Sequence, residues 1–241
     1  MSFNQLDSKI SCGDSFEHNF KLAVSMLSNG VSTAISFVNP FSYNLILKEH
    51  YLIDLIDQYY IDGALLCYLH GYYFGKIGRA SFDFSSVAGL VFKYAQENNM
   101  PIALIGASPR EIPVAVDNIK RLYNNLEVSF YSHGYFDSID STIQDLKSVT
   151  PKLIILGLGT PMQERVAIKL KLALDFPVII ITCGGFLSQT ALRADYYHPI
   201  VKKLGIRWAQ RFYLHSHVRE RVLKDYPRFL YSYILNKSFN K

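Results

Sequence analysis

The residues best suited to binding an anionic ligand lie in the segment Gly157–Glu164, which reads GLGTPMQE. Gly157 and Gly159 follow an apolar run and permit a tight turn with close backbone approach. Pro161 suits the first turn of a helix, where its missing N–H costs no hydrogen bond. Backbone N–H groups at a helix start bind phosphate or diphosphate. The segment therefore predicts either a diphosphate site or a glycine-rich strand-to-helix turn without a ligand.

Asp62 is the carboxylate best placed for acid–base chemistry. It lies between the apolar runs Tyr59–Ile61 and Gly63–Leu66. A carboxylate in apolar surroundings at a strand edge can act as a general base. Asp-Gly is also a common turn pair, and the residue types alone favour the turn.

Motifs of several other enzyme classes are missing from the chain. The seven histidines form no HExxH or comparable ligand spacing, so we predict no metal site. No GxSxG and no GxxxxGK[ST] occurs, which argues against an α/β-hydrolase and a P-loop NTPase. The three cysteines, Cys12, Cys67 and Cys183, are too widely spaced for a metal knuckle and odd in number for a disulfide framework. They indicate a reducing, cytoplasmic setting.

Composition places the chain among globular proteins. It has 241 residues, 49% hydrophobic and only 19% charged, which excludes a disordered or fibrous chain. No apolar stretch approaches the roughly 20 residues of a membrane-spanning helix. The N-terminus lacks the basic-then-apolar pattern of a signal peptide.

Positive charge is concentrated at the C-terminal end. From Arg193 to Lys241 there are 11 Lys and Arg against three Asp and Glu, whereas the preceding residues hold 14 against 17. The same end carries ten aromatic residues. Such an end suits an anionic partner, which is a membrane surface, a diphosphate or a nucleic acid. The alternative is a solvated helical tail with Lys and Arg stems lying along its surface.

The elements that must position these residues alternate along the chain. Continuously apolar runs are typical of strands buried on both faces. We predict such strands at Ala34–Val38, Gly63–Tyr68, Ile102–Ile105, Val128–Tyr131, Leu153–Leu156 and Val178–Thr182. Amphipathic patterns predict helices at Asn19–Leu27, Val87–Asn98, Glu111–Asn124, Ser138–Lys147 and Glu164–Leu174.

This alternation predicts an α/β fold, a Rossmann-like parallel sheet with helices on both faces. We assign it to a catalytic domain of residues 1–190. The strand pattern stops at about residue 190, so residues 191–241 are predicted to form a helical, basic and aromatic appendage.

The ordered motifs resemble those of the WecG/TagA/CpsF glycosyltransferases, known as glycosyltransferase family 26. The family's elements correspond in order to Asn39-Pro40, Asp62-Gly63, Gly106–Pro109, His133–Phe136 and Gly157–Glu164. Its C-terminal pattern corresponds to Arg193-Ala194, Gly205–Trp208, Arg211, Arg219, Arg221 and Pro227–Phe229. The Gly157–Glu164 segment is the most specific of these elements.

The resemblance implies an inverting, metal-independent transfer of a sugar from a UDP donor to a polyprenyl-diphosphate-linked saccharide. It implies peripheral attachment to the inner face of the cell membrane, no cofactor and no nucleic acid, and leaves a homo-oligomer open. The family's catalytic aspartate falls on Asp62, and its pocket asparagine and glutamine fall on Asn39 and Gln163. The glycine-rich segment and the family resemblance together give the candidate substrate-binding residues. They are Asn39, Arg79, Gly157, Gly159, Thr160, Gln163, Glu164, Arg211, Arg219 and Arg221.

Some positions depart from the family pattern. Phe37 stands where the family usually has Thr, and the Arg-x-x-Gly-x-Asp motif fits Arg79–Asp83 only with a one-residue shift. Further departures are Leu187, Asp195 and Arg207. They leave the donor sugar open between an N-acetylmannosamine type and another hexose.

Three alternatives compete with this interpretation. A catalytically inactive family member would act as a scaffold in polysaccharide assembly, which the retained Asp62, Asn39 and Gln163 argue against. An NAD-dependent oxidoreductase would need a GxGxxG after its first strand, where this chain has Asn39-Pro40. A nucleic-acid binder is suggested by the basic end alone, without any recognition motif.

Overall fold

The computed structural model describes residues 2–192, 213 and 219–238, without the side chains of residues 2–4, 221 and 238. Within these residues the strands are β1 (Ile10–Ser11), β2 (Thr33–Val38), β3 (Gln58–Ile61), β4 (Ile102–Gly106), β5 (Val128–Ser132), β6 (Leu153–Gly157) and β7 (Ile179–Thr182). They form one sheet in the order β1-β3-β2-β7-β6-β4-β5, and every neighbouring pair is parallel. The predicted Rossmann-like α/β class is confirmed.

Helices connect the strands and cover both faces of the sheet. They are α1 (Ser2–Ser8), α2 (Phe16–Leu27), α3 (Pro40–Leu47), α4 (His50–Leu55), α5 (Ala64–Phe74), α6 (Val87–Glu97), α7 (Glu111–Leu122), α8 (Asp140–Val149), α9 (Met162–Ala173), α10 (Phe186–Leu192) and α11 (Tyr226–Ser238). A π-helical turn at Arg221–Asp225 leads into α11. Five of the predicted strands and all five predicted helices are found, with ends shifted by up to three residues.

The predicted strand at Gly63–Tyr68 is wrong. The strand is β3, upstream of Asp62, and the apolar run after it forms α5. A short, uniformly apolar run carries no period that separates a buried strand from a helix. In the fold, Leu66, Leu69 and His70 are the buried positions of α5, and this three-and-four spacing is helical.

The core consists of two clusters, one on each face of the sheet. Strand β2 contributes to both, because Ala34 and Val38 belong to one cluster, and Ile35 and Phe37 to the other. All six residues of β2 are buried, as expected for a central strand covered on both faces. Ser36 is therefore a polar side chain fixed within the core.

Helix α11 packs on α3 through aromatic rings. The ring of Tyr43 lies 5.4 Å from those of both Phe229 and Tyr233, measured between centroids. Phe229 and Tyr233 belong to the core cluster that contains Ala34 and Val38 of β2 and the buried apolar residues of α9. The predicted domain boundary after residue 190 stays a prediction.

No helix in the described part of the chain is long and apolar enough to cross a membrane.

Candidate active site

A cavity of about 180 Å³ opens at the carboxyl ends of the central strands. Residues after β2, β3, β6 and β7 line it, and these strands are neighbours in the sheet. Ligands of open parallel sheets bind in this crevice. The sheet thus brings together six predicted site residues, which are Asn39, Asp62, Arg79, Gly159, Thr160 and Gln163.

Asn39 is positioned by the helix that it begins. As the N-cap of α3, its Oδ1 accepts hydrogen bonds from the backbone N–H groups of Phe41 and Ser42, at 2.9 and 3.0 Å. The Ser42 hydroxyl accepts from the Asn39 backbone N–H in return, at 2.9 Å. This capping box fixes the amide. Its Nδ2 makes no hydrogen bond within the described residues and is the group that can donate to a ligand.

Asp62 is held at the cavity by its backbone. Its N–H donates to the Val38 carbonyl at 2.7 Å, which ties the end of β3 to the end of β2. The next residue, Gly63, has a φ of 131° and begins α5. A residue with a Cβ rarely adopts that conformation, so Gly63 suits the bend between β3 and α5. Asp62 lines the cavity, and its role as a general base stays a prediction.

Arg79 faces two carboxylates. Its Nη1 lies 3.9 Å from Asp62 Oδ1, and its Nη2 lies 3.8 Å from Asp83 Oδ2. Nη2 also donates to the Ser81 hydroxyl at 2.9 Å, and that hydroxyl donates to Asp83 at 2.6 Å. About a quarter of the Asp62 and Arg79 side chains stays exposed, which keeps them within reach of a ligand.

The backbone under Arg79 depends on Gly13. The Gly13 N–H donates to the Gly78 carbonyl at 2.9 Å, and a Cβ at Gly13 would lie 2.5 Å from the Arg79 carbonyl carbon. Sequence reasoning missed Gly13, because nothing near it in the chain indicates a contact with residues 78 and 79.

The glycine-rich turn after β6 forms one wall of the cavity. Gly159 has a φ of 76° and lines the cavity with Thr160. Helix α9 begins at Met162, directly after Pro161. The predicted start at Glu164 is two residues too late. Gly157 serves packing, since a Cβ there would lie 2.7 Å from the Gly184 carbonyl oxygen.

Gln163 and Glu164 stand in the first turn of α9 and are both buried. Gln163 reaches the cavity wall, whereas Glu164 has no exposed surface. The Gln163 amide donates to Glu164 at 2.9 Å and accepts from the Gly184 N–H at 3.1 Å. Burial raises the pKa of the Glu164 carboxyl, against hydrogen bonds from Gln163, Ser36 and Thr160 that lower it.

Other lining residues escaped the sequence analysis. Among them are Ser81, Asp83, Thr182, Gly185 and Gln189, together with Phe37. The sequence marks Phe37 and Asp83 only as departures from a family pattern. Thr182 is the last residue of the last predicted strand and Gly185 lies three residues beyond it, so the end of that strand was the signal available for them.

Of the three predicted C-terminal site arginines, Arg219 has a described side chain. Arg211 lies outside the described residues, and the side chain of Arg221 is not described. The Arg219 guanidinium donates to the Tyr213 carbonyl at 3.0 Å. Among the residues that the structure describes, no group of three or more His, Cys, Asp or Glu side chains could hold a metal ion.

A parallel sheet with a polar cavity at the carboxyl ends of its strands is the architecture of a Rossmann-like α/β protein with a ligand site in that crevice. The chain matches the family described as "Glycosyl transferase WecG/TagA/CpsF family" over residues 4–241 and belongs to it. The resemblance inferred from the motifs is confirmed, and the chain is an enzyme of this glycosyltransferase class.

Two curated relatives indicate the chemistry within the family. The chain is 44% identical over 207 residues to the UDP-Gal:alpha-D-GlcNAc-diphosphoundecaprenol beta-1,4-galactosyltransferase of Shigella boydii, which covers 85% of this chain and 86% of that protein. It is 30% identical over 143 residues to the N-acetylglucosaminyldiphosphoundecaprenol N-acetyl-beta-D-mannosaminyltransferase of Staphylococcus aureus (strain MW2), covering 58% and 54%. Neither relative supports the oxidoreductase, scaffold or nucleic-acid interpretation.

Proposed function

We propose that this protein transfers galactose from UDP-galactose to N-acetylglucosamine linked to undecaprenyl diphosphate, with inversion at the anomeric carbon. The observation that carries the proposal is the cavity itself. It places Asp62, Arg79, Asn39 and the Gly159–Thr160 turn together at the carboxyl ends of neighbouring strands. Membership of a glycosyltransferase family gives these groups their reaction.

Asp62 is the general base of this reaction. Its carboxylate takes the proton of the acceptor hydroxyl as the hydroxyl oxygen bonds to the anomeric carbon. The bond between that carbon and the donor phosphate breaks on the opposite face, and UDP leaves with the electron pair. A sugar in α linkage to UDP thus becomes β-linked in the product. Arg79, 3.9 Å from Asp62, holds the carboxylate in place.

The departing UDP needs compensating positive charge. The Gly159–Thr160 turn and the N-terminus of α9 supply backbone dipoles that favour an anion. Asn39 Nδ2 adds a donor at the same edge of the sheet. Arg211, Arg219 and Arg221 are proposed to complete the diphosphate site from the C-terminal appendage, residues 191–241. With this charge from the protein, the transfer needs no divalent cation.

Galactose is favoured as the sugar by the extent of the relationships. The galactosyltransferase of Shigella boydii aligns over 85% of this chain, against 58% for the mannosaminyltransferase of Staphylococcus aureus. Phe37 departs from the residue usual in the family and lines the cavity, so it is a candidate for setting this choice. Both relatives are named for acceptors of GlcNAc on undecaprenyl diphosphate, which supports that acceptor here.

A lipid-linked acceptor places the enzyme at a membrane surface. The basic, aromatic residues from Arg193 onward supply the attraction, because Lys and Arg near anionic lipid contribute about 1 kcal/mol each. We propose peripheral attachment at the inner face of the cell membrane.

The test is UDP release from a panel of UDP-sugars, with the acceptor supplied in anionic vesicles. We expect release from UDP-galactose only when the acceptor is present, no effect of EDTA, and sedimentation of the enzyme with the vesicles. Faster acceptor-dependent release from UDP-N-acetylmannosamine would overturn the sugar assignment. Absence of release from every donor, despite UDP binding by calorimetry, would favour the scaffold interpretation instead.

A further inference from the structure

A buried polar network lies directly behind the cavity. Glu164 Oε1 accepts hydrogen bonds from the hydroxyl of Ser36 at 2.7 Å, the amide of Gln163 at 2.9 Å and the hydroxyl of Thr160 at 3.2 Å. The Ser36 and Thr182 hydroxyl oxygens are 2.9 Å apart. Strand β2, the glycine-rich turn and α9 therefore meet at one carboxyl oxygen, and β7 joins them through Ser36.

The donors in this network have one consistent arrangement. Ser36 has a single hydroxyl proton, which it gives to Glu164, so Thr182 donates to Ser36. Gln163 directs one amide hydrogen to Glu164 and has Thr160 Oγ1 at 3.3 Å for the other. With its nitrogen held this way, its Oε1 points to the Gly184 N–H. The orientation of the Gln163 amide thus depends on Glu164.

The second oxygen of Glu164 is in a different situation. Oε2 is buried and has no hydrogen-bond partner within the described residues. A charged oxygen to which no protein group donates is far more costly in such a place than an uncharged hydroxyl. A proton on Oε2 would remove this cost and leave Oε1 as the acceptor of the network.

We propose that Glu164 is a positioning residue that acts as an uncharged acid, orienting Gln163 and Thr160 so that the glycine-rich turn and the Gly184 loop keep their places around the substrate. It has no exposed surface, so it acts through these neighbours rather than by touching the substrate. Two of them, Thr160 and Gln163, line the cavity, as does Gly184 itself. The raised pKa of the buried carboxyl agrees with this arrangement.

This inference rests on the proposed function for its kinetic readout, so the test has a second readout that does not. Glu164→Ala, Glu164→Gln and Ile168→Ala are compared with the wild type in full-length enzyme. Ile168 is a buried apolar residue one turn further along α9, so its truncation reports general loss of packing. The readouts are kcat and KM with UDP-galactose and acceptor, and the rate of hydrogen exchange at the Gly184 amide.

We expect Glu164→Ala to lower kcat/KM and to speed Gly184 exchange about tenfold each, the effect of losing a network hydrogen bond. Glu164→Gln keeps the accepting oxygen without a charge, so both quantities stay within about threefold of the wild type. We expect Ile168→Ala to destabilise the fold but to leave kcat/KM and the exchange rate of the Gly184 amide unchanged.

Wild-type Gly184 exchange in Glu164→Ala would overturn the proposal. So would a Glu164→Gln variant as impaired as Glu164→Ala, since that would show that the charge is required. If the wild type itself turned over no substrate, the proposed function would fail, and the exchange rates would still decide the role of Glu164.

Discussion

Asp62, Arg79 and Asp83 form one charged chain along a wall of the cavity. Arg79 lies between the two carboxylates, at 3.9 Å from Asp62 and 3.8 Å from Asp83. Asp83 is further held by Ser85, whose backbone N–H and hydroxyl donate to Oδ1 at 3.0 and 2.6 Å. Asp83 is thus fixed by its own loop and anchors the arginine, whose other side faces the proposed base, Asp62.

The raised pKa of Glu164 also predicts how the free energy of unfolding changes with pH. Its pKa in the folded protein is raised above the ordinary 4.5, mainly by burial. The folded state therefore binds this proton more tightly than the unfolded state. Its contribution to stability is complete below pH 4.5 and is lost as pH rises towards the folded pKa, at about 1.4 kcal/mol per pH unit. Tyr59, which faces Glu164, stays protonated because burial raises its pKa too.

The measurement is urea unfolding of the wild type and Glu164→Gln from pH 4.5 to 8. We expect the variant to gain free energy of unfolding relative to the wild type as pH rises. Glu111→Gln is the control without a trend in most of this range, because a hydrogen bond from the Ser108 backbone lowers the pKa of Glu111, so that its contribution to stability is lost only as pH falls below about 4.5. A difference between Glu164→Gln and wild type that does not change with pH would contradict the assignment.

At the scale of elements, helix α11 is attached to the body by a buried ion pair. Lys237 pairs with Asp7 of α1, and both side chains are buried. The Lys237 ammonium also lies 4.6 Å from the centre of the Phe74 ring, and Tyr233 donates to Asp7 at 3.3 Å. The pair joins α11 to α1, and the contact of Lys237 with the Phe74 ring adds α5.

Lys237→Met should lower the free energy of unfolding by about 3–5 kcal/mol, because it leaves the Asp7 carboxylate buried without its partner. Lys224→Met is the matched control. Lys224 pairs with Glu220 in the same C-terminal segment, but both side chains are more than 60% exposed, and exposed pairs contribute little. Urea unfolding measures both variants. An equal, small effect of the two substitutions would show that the buried pair does not hold α11.

The parts of the site that have a local sequence pattern could be predicted from the sequence. Gly157–Glu164 combines glycines, Pro161 and an apolar strand, so both the turn and its helix could be predicted. Asp62 stood out as a carboxylate among apolar residues. The strand before it was misplaced, because the aromatic run Tyr59–Ile61 and the apolar run after Gly63 both fit a buried strand.

Residues that work through distant contacts could not be found this way. Ser36 and Glu164 are 128 positions apart and meet at 2.7 Å. Their bond exists because β2 and β7 are neighbours in the sheet and α9 packs between their ends, which no local pattern shows. The same holds for Gly13 beneath Arg79, and for Asp7 opposite Lys237.

At the scale of the whole molecule, the sheet order creates the site. β2 lies between β3 and β7, with β6 next, so chain segments far apart in sequence end at one crevice. The proposed base, Asp62, comes after β3, the helix-capping amide after β2 and the glycine-rich turn after β6. We propose that this crevice performs sugar transfer, with Asp62 as the base.

The most direct test is acceptor-dependent UDP release by the wild type, Asp62→Asn and Asp83→Asn, with UDP binding measured alongside. Loss of a general base costs about 10²–10⁴-fold in rate, so Asp62→Asn should lose at least a hundredfold in kcat while still binding UDP. Asp83 touches the same arginine, which Ser81 also holds, so Asp83→Asn should lose less than about tenfold. An Asp62→Asn enzyme that turns over as fast as Asp83→Asn would contradict the account.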